Sequence, residues 1–545
     1  MHKRLLILLT FAAIQLFAAT PALPVPQALT VVSRQLRVDL HWRDDDAAQF
    51  EVQRAQKADG PFEMLALHSA TRPFASDFIG ESGGNYYYRV RAAQPAPASK
   101  ALEFSDWSAV AKGSPLPAEP ESLLGEVQEA GIRYFYDYGH PVSGLARESF
   151  LRNPNLCATG ATGMGLFNLV VGIERGFISR DDGLARTLKI LDFLSEKADR
   201  FHGAFPHWLD GTTGKTVPFS ALDDGADLVE TAFLIEGVLT AREYFAQNSP
   251  DETRLRKRAD DLWRAVEWDW FVRETNSSLC LQWHWSPKNG WKKNLRIAGF
   301  NEAQAAYLLA LASPTHPIQP KCYRDGWINP LFGQTANATP ARLDFPRENV
   351  GPMFFTHYSY LGFDPRKITC GTKSYFEVFQ DLCHSQITYA ESKRGEFDGY
   401  GPMWGLTASY GPDGYRAFAP GRLDNGTLAP TAALSSMPYV PNESRTCLME
   451  MYQKYGKKLW GPFGFYDAFN LKRNWVSDDV LGIDVGPIAP MIENYRSGLC
   501  WKLFMNAKEI SPLVATLAQP IDNSPLIAIP AVAPAPLTVP AMQRN

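Results

Sequence analysis

The spacing of apolar residues changes once along this chain, and that change constrains the fold more than any other feature. Over residues 25–113 apolar side chains recur at every second position. Val38, Leu40 and Trp42 share one face of "LRVDLHWRDD", and Tyr86, Tyr88, Val90 and Ala92 share one face of "GGNYYYRVRAA". Successive strand side chains point to opposite sides of a sheet, so this pattern, broken by Gly-Pro and Gly-Gly turns, predicts a small all-β sandwich. From residue 121 the spacing becomes helical. "LLGEVQEAGIRYFYDY", "DDGADLVETAFLIEGVLTAREYF", "NEAQAAYLLALAS", "VGPMFFTHYSYLG" and "KSYFEVFQDLCHSQITYAES" are among eleven or twelve predicted helices. No short internal repeat accompanies them, and their long loops are rich in Gly, Pro and Trp. Such a set fits a closed helical toroid with six inner and six outer helices.

The ends and the joints follow from composition. "MHKRLLILLTFAAIQLFAATPALP" places Lys3 and Arg4 before an apolar run, with Ala18, Ala19 and Ala22 as small-residue cleavage positions. This is the pattern of a secretory signal peptide, so residues 1–22 are expected to be removed and the protein to be periplasmic or secreted. No later stretch is long and apolar enough to span a bilayer. The expected order is a sandwich at 25–113, a linker at 114–122, a helical domain at 123–506 and a loosely packed Pro-rich tail at 507–545. Within the sandwich, the Trp of an early strand, the Tyr-x-Val-x-Ala strand and the closing "SDWS" resemble a fibronectin type III domain.

A net charge of only −4 leaves no basic footprint for nucleic acid or an anionic membrane, and favours a neutral substrate. Seven cysteines are scattered without zinc-ligand spacing, so most are read as small buried side chains, and neither a metal nor a cofactor is expected.

Three groups of acids carry the candidate chemistry. Asp223, Asp227 and Glu230 are spaced i, i+4, i+7, which would set them on one helical face, where they repel unless a ligand, a cation or protonation relieves them. The alternative for Asp223 is a helix N-cap. Glu302 opens the apolar helix "NEAQAAYLLALAS". A carboxyl there, desolvated by aromatics, would have a raised pKa and could act as a general acid, whereas a first-turn Glu could merely satisfy backbone amides. Asp467, Asp478, Asp479, Asp484 and Glu493 crowd a loop before a helix, and Asp484 stands just ahead of a Gly-Pro that can begin that helix. The neighbouring loops hold Trp208, Trp404, Trp475 and Tyr358. Sugar rings stack their C–H faces on aromatic rings, so carboxylates among loop aromatics are what a glycosidase needs. No nucleophile elbow, P-loop, zinc motif or EF-hand loop is present.

Ten motifs in order carry a resemblance: "YFYDYGHPVSGLARES", "TGATGMGLFNLVVGIERG", "FPHWLDGTTGK", "DDGADLVETAFLIEGVL", "FNEAQAAYLLALASPTHPI", "FFTHYSYLGFD", "GYGPMWGLTASYGPDGY", "GTLAPTAALSSMPY", "GFYDAFN" and "LGIDVGPIAPMIENYRSGLCWKLFM". From about Tyr134 to Met505 the chain resembles the so-called "putative glucoamylase" family, which includes the bacterial β-1,2-glucanases of glycoside hydrolase family 144. The resemblance implies an (α/α)6 barrel and an anomer-inverting hydrolase of β-1,2-glucan or its oligosaccharides, monomeric and without a cofactor. It implies that Glu302 is the acid and Asp484 the base, with the proton relayed through a substrate hydroxyl. Asp223, Asp227 and Glu230 would line the sugar cleft, and His140, Arg147, Glu148 and His357 match motif positions expected to bind substrate. The rival expectations are an exo-hydrolase of another glucan, glucoamylase-like, and a non-catalytic glucan-binding protein.

Overall fold

Alternation builds the N-terminal unit, which in the computed structural model runs to Pro117. The structure describes residues 23–43, 49–69, 74–96, 101–329, 351–370, 373–421 and 423–517, so the expected signal peptide lies outside the described residues. Strands β1 (Gln27–Arg34), β2 (Arg37–Arg43) and β5 (Phe74–Phe78) form one antiparallel sheet in the order β1-β2-β5. A second sheet runs β4 (Glu63–Ser69), β3 (Gln49–Ala55), β6 (Tyr86–Pro95), β7 (Leu102–Phe104), with β8 (Ala111–Gly113) also on β6. Val38, Leu40 and Trp42 meet Phe50, Val52, Tyr86, Tyr88, Val90 and Ala92 in one buried cluster. These are the residues that the period-two pattern singled out.

The second unit, from Ala118, is helical and holds all the candidate site residues. Its first helix, α1 (Pro120–Tyr136), begins inside the stretch expected as a linker, because Pro120 is pre-set for the first helical turn. α2 (Thr159–Glu174) and α4 (Leu228–Tyr244) are buried on nearly all sides, whereas α3 (Arg180–Glu196) and α5 (Pro250–Arg264) bury one face each. The outer pair carry serine caps: Ser179 accepts from Asp182 N and Ser249 from Glu252 N. α2 and α4 cross so closely that a Cβ on Gly237 would lie 2.1 Å from the Gly163 carbonyl oxygen. α4 packs on α6 (Gln304–Ala312), and the helix Ile488–Arg496 packs on Pro430–Ser435 and returns to α2. Asn168 of α2 donates 2.8 Å to the Gly486 carbonyl at that return.

Three expectations are corrected here. "VGPMFFTHYSYLG" is not a helix but two 3-10 turns, Met353–Thr356 and Tyr358–Tyr360. The helix expected from Asp223 begins only at Leu228, so Asp223, Asp227 and Glu230 do not share a helical face. The tail begins later than 507: Ile510–Leu517 is a helix that buries Ile510, Leu513 and Leu517, and Glu509 just before it pairs at 2.7 Å with the buried Arg242. The rest of the expected tail lies outside the described residues. Cys157, Cys280, Cys322, Cys383, Cys447 and Cys500 are buried and free.

Candidate active site

A two-residue ladder sets the first acid cluster. The short strand Ala226–Asp227 pairs with His284–Trp285, which brings Asp227 opposite His284. Asp227 is the N-cap of α4, accepting from Val229 N and Glu230 N at 3.0 Å each, so the cap expected at Asp223 belongs to Asp227. Two histidines then join the three acids. His284 Nε2 lies 3.0 Å from Asp223 Oδ2 and 3.4 Å from Asp227 Oδ2. His207 Nδ1 lies 3.1 Å from Asp227 Oδ2 and 4.0 Å from Glu230 Oε1. Lys293 Nζ closes one end, 2.9 Å from Asp223, and Gly160 N closes the other, 2.6 Å from Glu230 Oε2.

The charges explain the proton affinities. Burial works against a charged His207, but Glu230 and Asp227 outweigh it and push the imidazole up to about 10. Burial raises Asp227, yet His284 and His207 hold it below the usual carboxylate range. Burial raises Glu230 to about 7, with Asp227 adding to the rise and His207 opposing it. Asp223, Asp227 and His284 offer ligand atoms within 4.8 Å of one another, a spacing that could hold a cation. In this arrangement the Lys293 ammonium already supplies positive charge to Asp223.

Glu302 stands just before α6, whose N-cap is Ala303. The backbone amides at this start are served by other groups. Asn301 Oδ1 accepts from Ala303 N at 2.9 Å, and Ser359 Oγ accepts from Ala305 N at 2.9 Å while donating to the Glu302 carbonyl. The Glu302 carboxyl is therefore not spent on capping. Burial, with the charges of Asp227 and Glu230, pushes it up to about 7.

The second cluster lies where two loops meet. The buried Asp484 accepts from the Tyr358 hydroxyl at 3.0 Å, and the buried Asp467 accepts from Tyr410 N at 2.6 Å. The two carboxyls line one small cavity and lie near enough to act on each other's proton. Burial raises both; Asp467 adds to the rise of Asp484, whereas Asp484 holds Asp467 down and the charge of Asp479 pushes it up. Tyr358 feels the charges of both Asp484 and Glu302, and Glu148 acts on both Glu230 and Asp484, so the two clusters lie within electrostatic reach of each other.

The other expected residues divide. Glu148 is half-buried, its carboxyl raised by burial. Trp208 is half-buried beside Phe219, with ring centroids 4.7 Å apart. The Arg147 guanidinium lies 4.3 Å over the Tyr138 ring. Trp475 is half-buried on the hairpin Phe469–Asn470/Trp475–Val476, just beyond Asp467. His140, His357 and Trp404 are buried. The rings of His140 bond to Asn155 and Ser143 inside their own loop. His357 bonds to Ser436 at 3.0 Å and is held neutral by burial, its pKa down to about 3. Trp404 is 2% exposed and offers no face to a sugar. Loop aromatics can serve the core as well as a cleft, and composition does not separate the two.

The sequence reading passed over His207, His284, Lys293, Tyr410 and Tyr415. His207 and His284 each stand beside a Trp ("PHW", "WHW"), a signal of the same kind as those that were used. Tyr415 lies at the end of a hairpin, Ala408–Ser409/Arg416–Ala417, anchored by the Arg473–Asp413 pair at 2.6 Å and by Tyr410 N on Asp467. The residue is 49% exposed, and its hydroxyl is pushed up by burial and by the charges of Asp484, Asp467 and Glu148.

With this geometry in hand, likeness to known proteins is informative. The family model described as "Glycoamylase: Putative glucoamylase" matches residues 294–508. An exo beta-1,2-glucooligosaccharide sophorohydrolase (non-reducing end) from Parabacteroides distasonis is 40% identical over 516 residues, covering 90% of this chain and 70% of its own. The crystal structure of a beta-1,2-glucanase from the same organism superposes with a TM-score of 0.82 at 40% identity, over 91% of this chain and 73% of that one. An endo-beta-1,2-glucanase from Chitinophaga pinensis, solved with sophorotriose and glucose, superposes with a TM-score of 0.69 at 44% identity, over 73% of this chain and 98% of that one.

Proposed function

The chain belongs to the glycoside hydrolase family of these relatives, and from that premise we propose that it hydrolyses β-1,2-linked glucan with inversion at the anomeric carbon. Glu302 gives its proton to the glycosidic oxygen. Water attacks the anomeric carbon from the opposite face, and its proton passes through a substrate hydroxyl to Asp484. The observation that carries this reading is Glu302 itself, a half-buried acid that caps no amide of α6, is raised to about 7, and acts on Tyr358, the donor to Asp484. Glu230 is the weaker candidate for the acid, because Gly160 N and His207 both favour its ionised form.

Asp223, Asp227, Glu230 and Glu148 hold glucosyl units in this reading, with Trp208, Phe219 and Tyr415 as stacking faces. The alternation of fully buried with one-sided helices supports an (α/α)6 barrel, and the two small sheets support a fibronectin type III-like module. The basic-then-apolar N-terminus supports export to the periplasm or beyond, and we take the working form to be a monomer.

The test is a time course on linear β-1,2-glucan followed by NMR. The first-formed anomer should be α. A single disaccharide product marks exo cleavage, and a ladder marks endo cleavage. Release of glucose from starch with β-1,2-glucan left intact, or tight glucan binding without turnover, would overturn the proposal.

A further inference from the structure

A lone carboxylate buried without a cation is a poor proton acceptor, because burial keeps it neutral. Asp484 is 2% exposed and Asp467 is 6% exposed. Among the described residues no lysine, arginine or histidine forms an ion pair with either. One oxygen of each is fixed: Asp484 Oδ1 by the Tyr358 hydroxyl and Asp467 Oδ2 by Tyr410 N. The other two, Asp467 Oδ1 and Asp484 Oδ2, are buried and receive no donor from any other residue. Both residues line the same small cavity, and a proton held between the two carboxyls would satisfy both oxygens at once.

We propose that Asp467 is a positioning residue that shares one proton with Asp484, so that the proton acceptor of the hydrolysis is the pair, singly charged, and not Asp484 alone. This rests on the reading of Asp484 as acceptor. The balance is complete. The pair takes one proton from water by way of the substrate hydroxyl and becomes neutral. The water oxygen bonds to the anomeric carbon as the glycosidic C–O bond breaks, and the leaving oxygen takes the Glu302 proton. Exchange with solvent then resets both ends.

The groups facing the pair support a single charge and no more. They are Tyr358 from the 3-10 turn, Tyr410 and Tyr415 from the hairpin, Glu148 from the loop after α1, and Asp479 from the segment before Asp484. Among the described residues the one cation beside them, Arg152, lies 4.6 Å over the Tyr410 ring and 3.8 Å from Asp479 and pairs with neither Asp467 nor Asp484, so a second negative charge on the pair gains no direct partner.

Three roles for Asp467 predict opposite outcomes in the pH profile of kcat. If it shares its proton, it stabilises the singly charged pair. Removing it in Asp467→Ala then moves the acidic limb to higher pH, by about one unit. Asp467→Asn offers an amide N–H to Asp484 and keeps an oxygen for Tyr410 N, so its limb should fall between Ala and wild type, with KM little changed. If Asp467 were simply a second anion, its removal would move the limb to lower pH. If it only braced the hairpin, the limb would stay in place. Either of the last two results overturns the proposal.

A measurement on the unaltered protein needs neither folding of a variant nor turnover. With 13C-carboxyl aspartate, infrared spectra at neutral pH should show a protonated aspartic acid that disappears in Asp484→Asn, and its absence from wild type overturns the sharing. Full activity in Asp484→Asn would instead sink the acceptor reading itself.

Discussion

At Glu302 the amides of the helix start are served by Asn301 and Ser359, and the acid, bonded to its own backbone amide, keeps a raised proton affinity. A carboxyl with pKa about 7 is protonated below that pH and loses its proton above it. A general acid must hold its proton, so kcat should fall as pH rises through about 7. Glu302→Gln should lower kcat by about 10²–10⁴-fold with KM little changed, and should abolish this alkaline limb. Steady-state kinetics across pH measure both, and a limb that survives the substitution would move the acid elsewhere. This residue was legible in the sequence because an acid ahead of an apolar run is an exception to what buried helices carry. The histidines were not. His207 and His284 act through partners brought in from distant segments, Glu230 and Asp223 among them, and nothing local announces those partners.

Elements place these residues by close approach and by short pairings. α2 and α4 touch through Gly163 and Gly237, where a methyl group would run into backbone. Gly237→Ala should therefore cost about 1–3 kcal/mol by overpacking, read as a lower melting temperature in calorimetry. An unchanged melting temperature would mean that the helices part without cost. The hairpin carrying Tyr415 is the other element to test. Tyr415 is half-exposed and its ring can stack on a glucosyl unit, so Tyr415→Ala should raise KM about three- to tenfold while kcat changes less. Tyr415→Phe should stay near wild type in KM if stacking is the contribution. Periodicity revealed most of the helices, because a long amphipathic or apolar segment has few other uses. It failed at "VGPMFFTHYSYLG", where apolar residues are buried by 3-10 turns, and at the start of α4, where the ladder between Ala226–Asp227 and His284–Trp285 holds the chain extended until Leu228. A two-residue pairing leaves no periodic trace.

On the scale of the whole molecule the question is what the N-terminal sheets contribute. Every group in the proton chemistry, from Glu148 to Asp484, lies in the unit that starts at Ala118. That unit has its own core, in which α2, α3, α4 and α5 bury Leu166, Leu191, Leu234, Leu255 and Leu262 among others. The Chitinophaga pinensis relative spends 98% of its length on 73% of this chain, so a protein of that extent stands without a counterpart to the remainder. The division itself was legible, because a switch from period two to period 3.6 cannot be accommodated within one layer of structure. What the division does for the substrate was not legible, because the period-two pattern reports which side chains the sheets bury and nothing about a ligand. Residues 118–545 expressed alone should therefore fold cooperatively and hydrolyse short β-1,2-linked oligosaccharides with kcat close to that of the full chain. Circular dichroism melts and product analysis on both forms decide it. If the shortened protein is folded but its kcat collapses, the sheets take part in building or closing the cleft. If only KM for long glucan rises, they act on the polymer away from the bond that is cut.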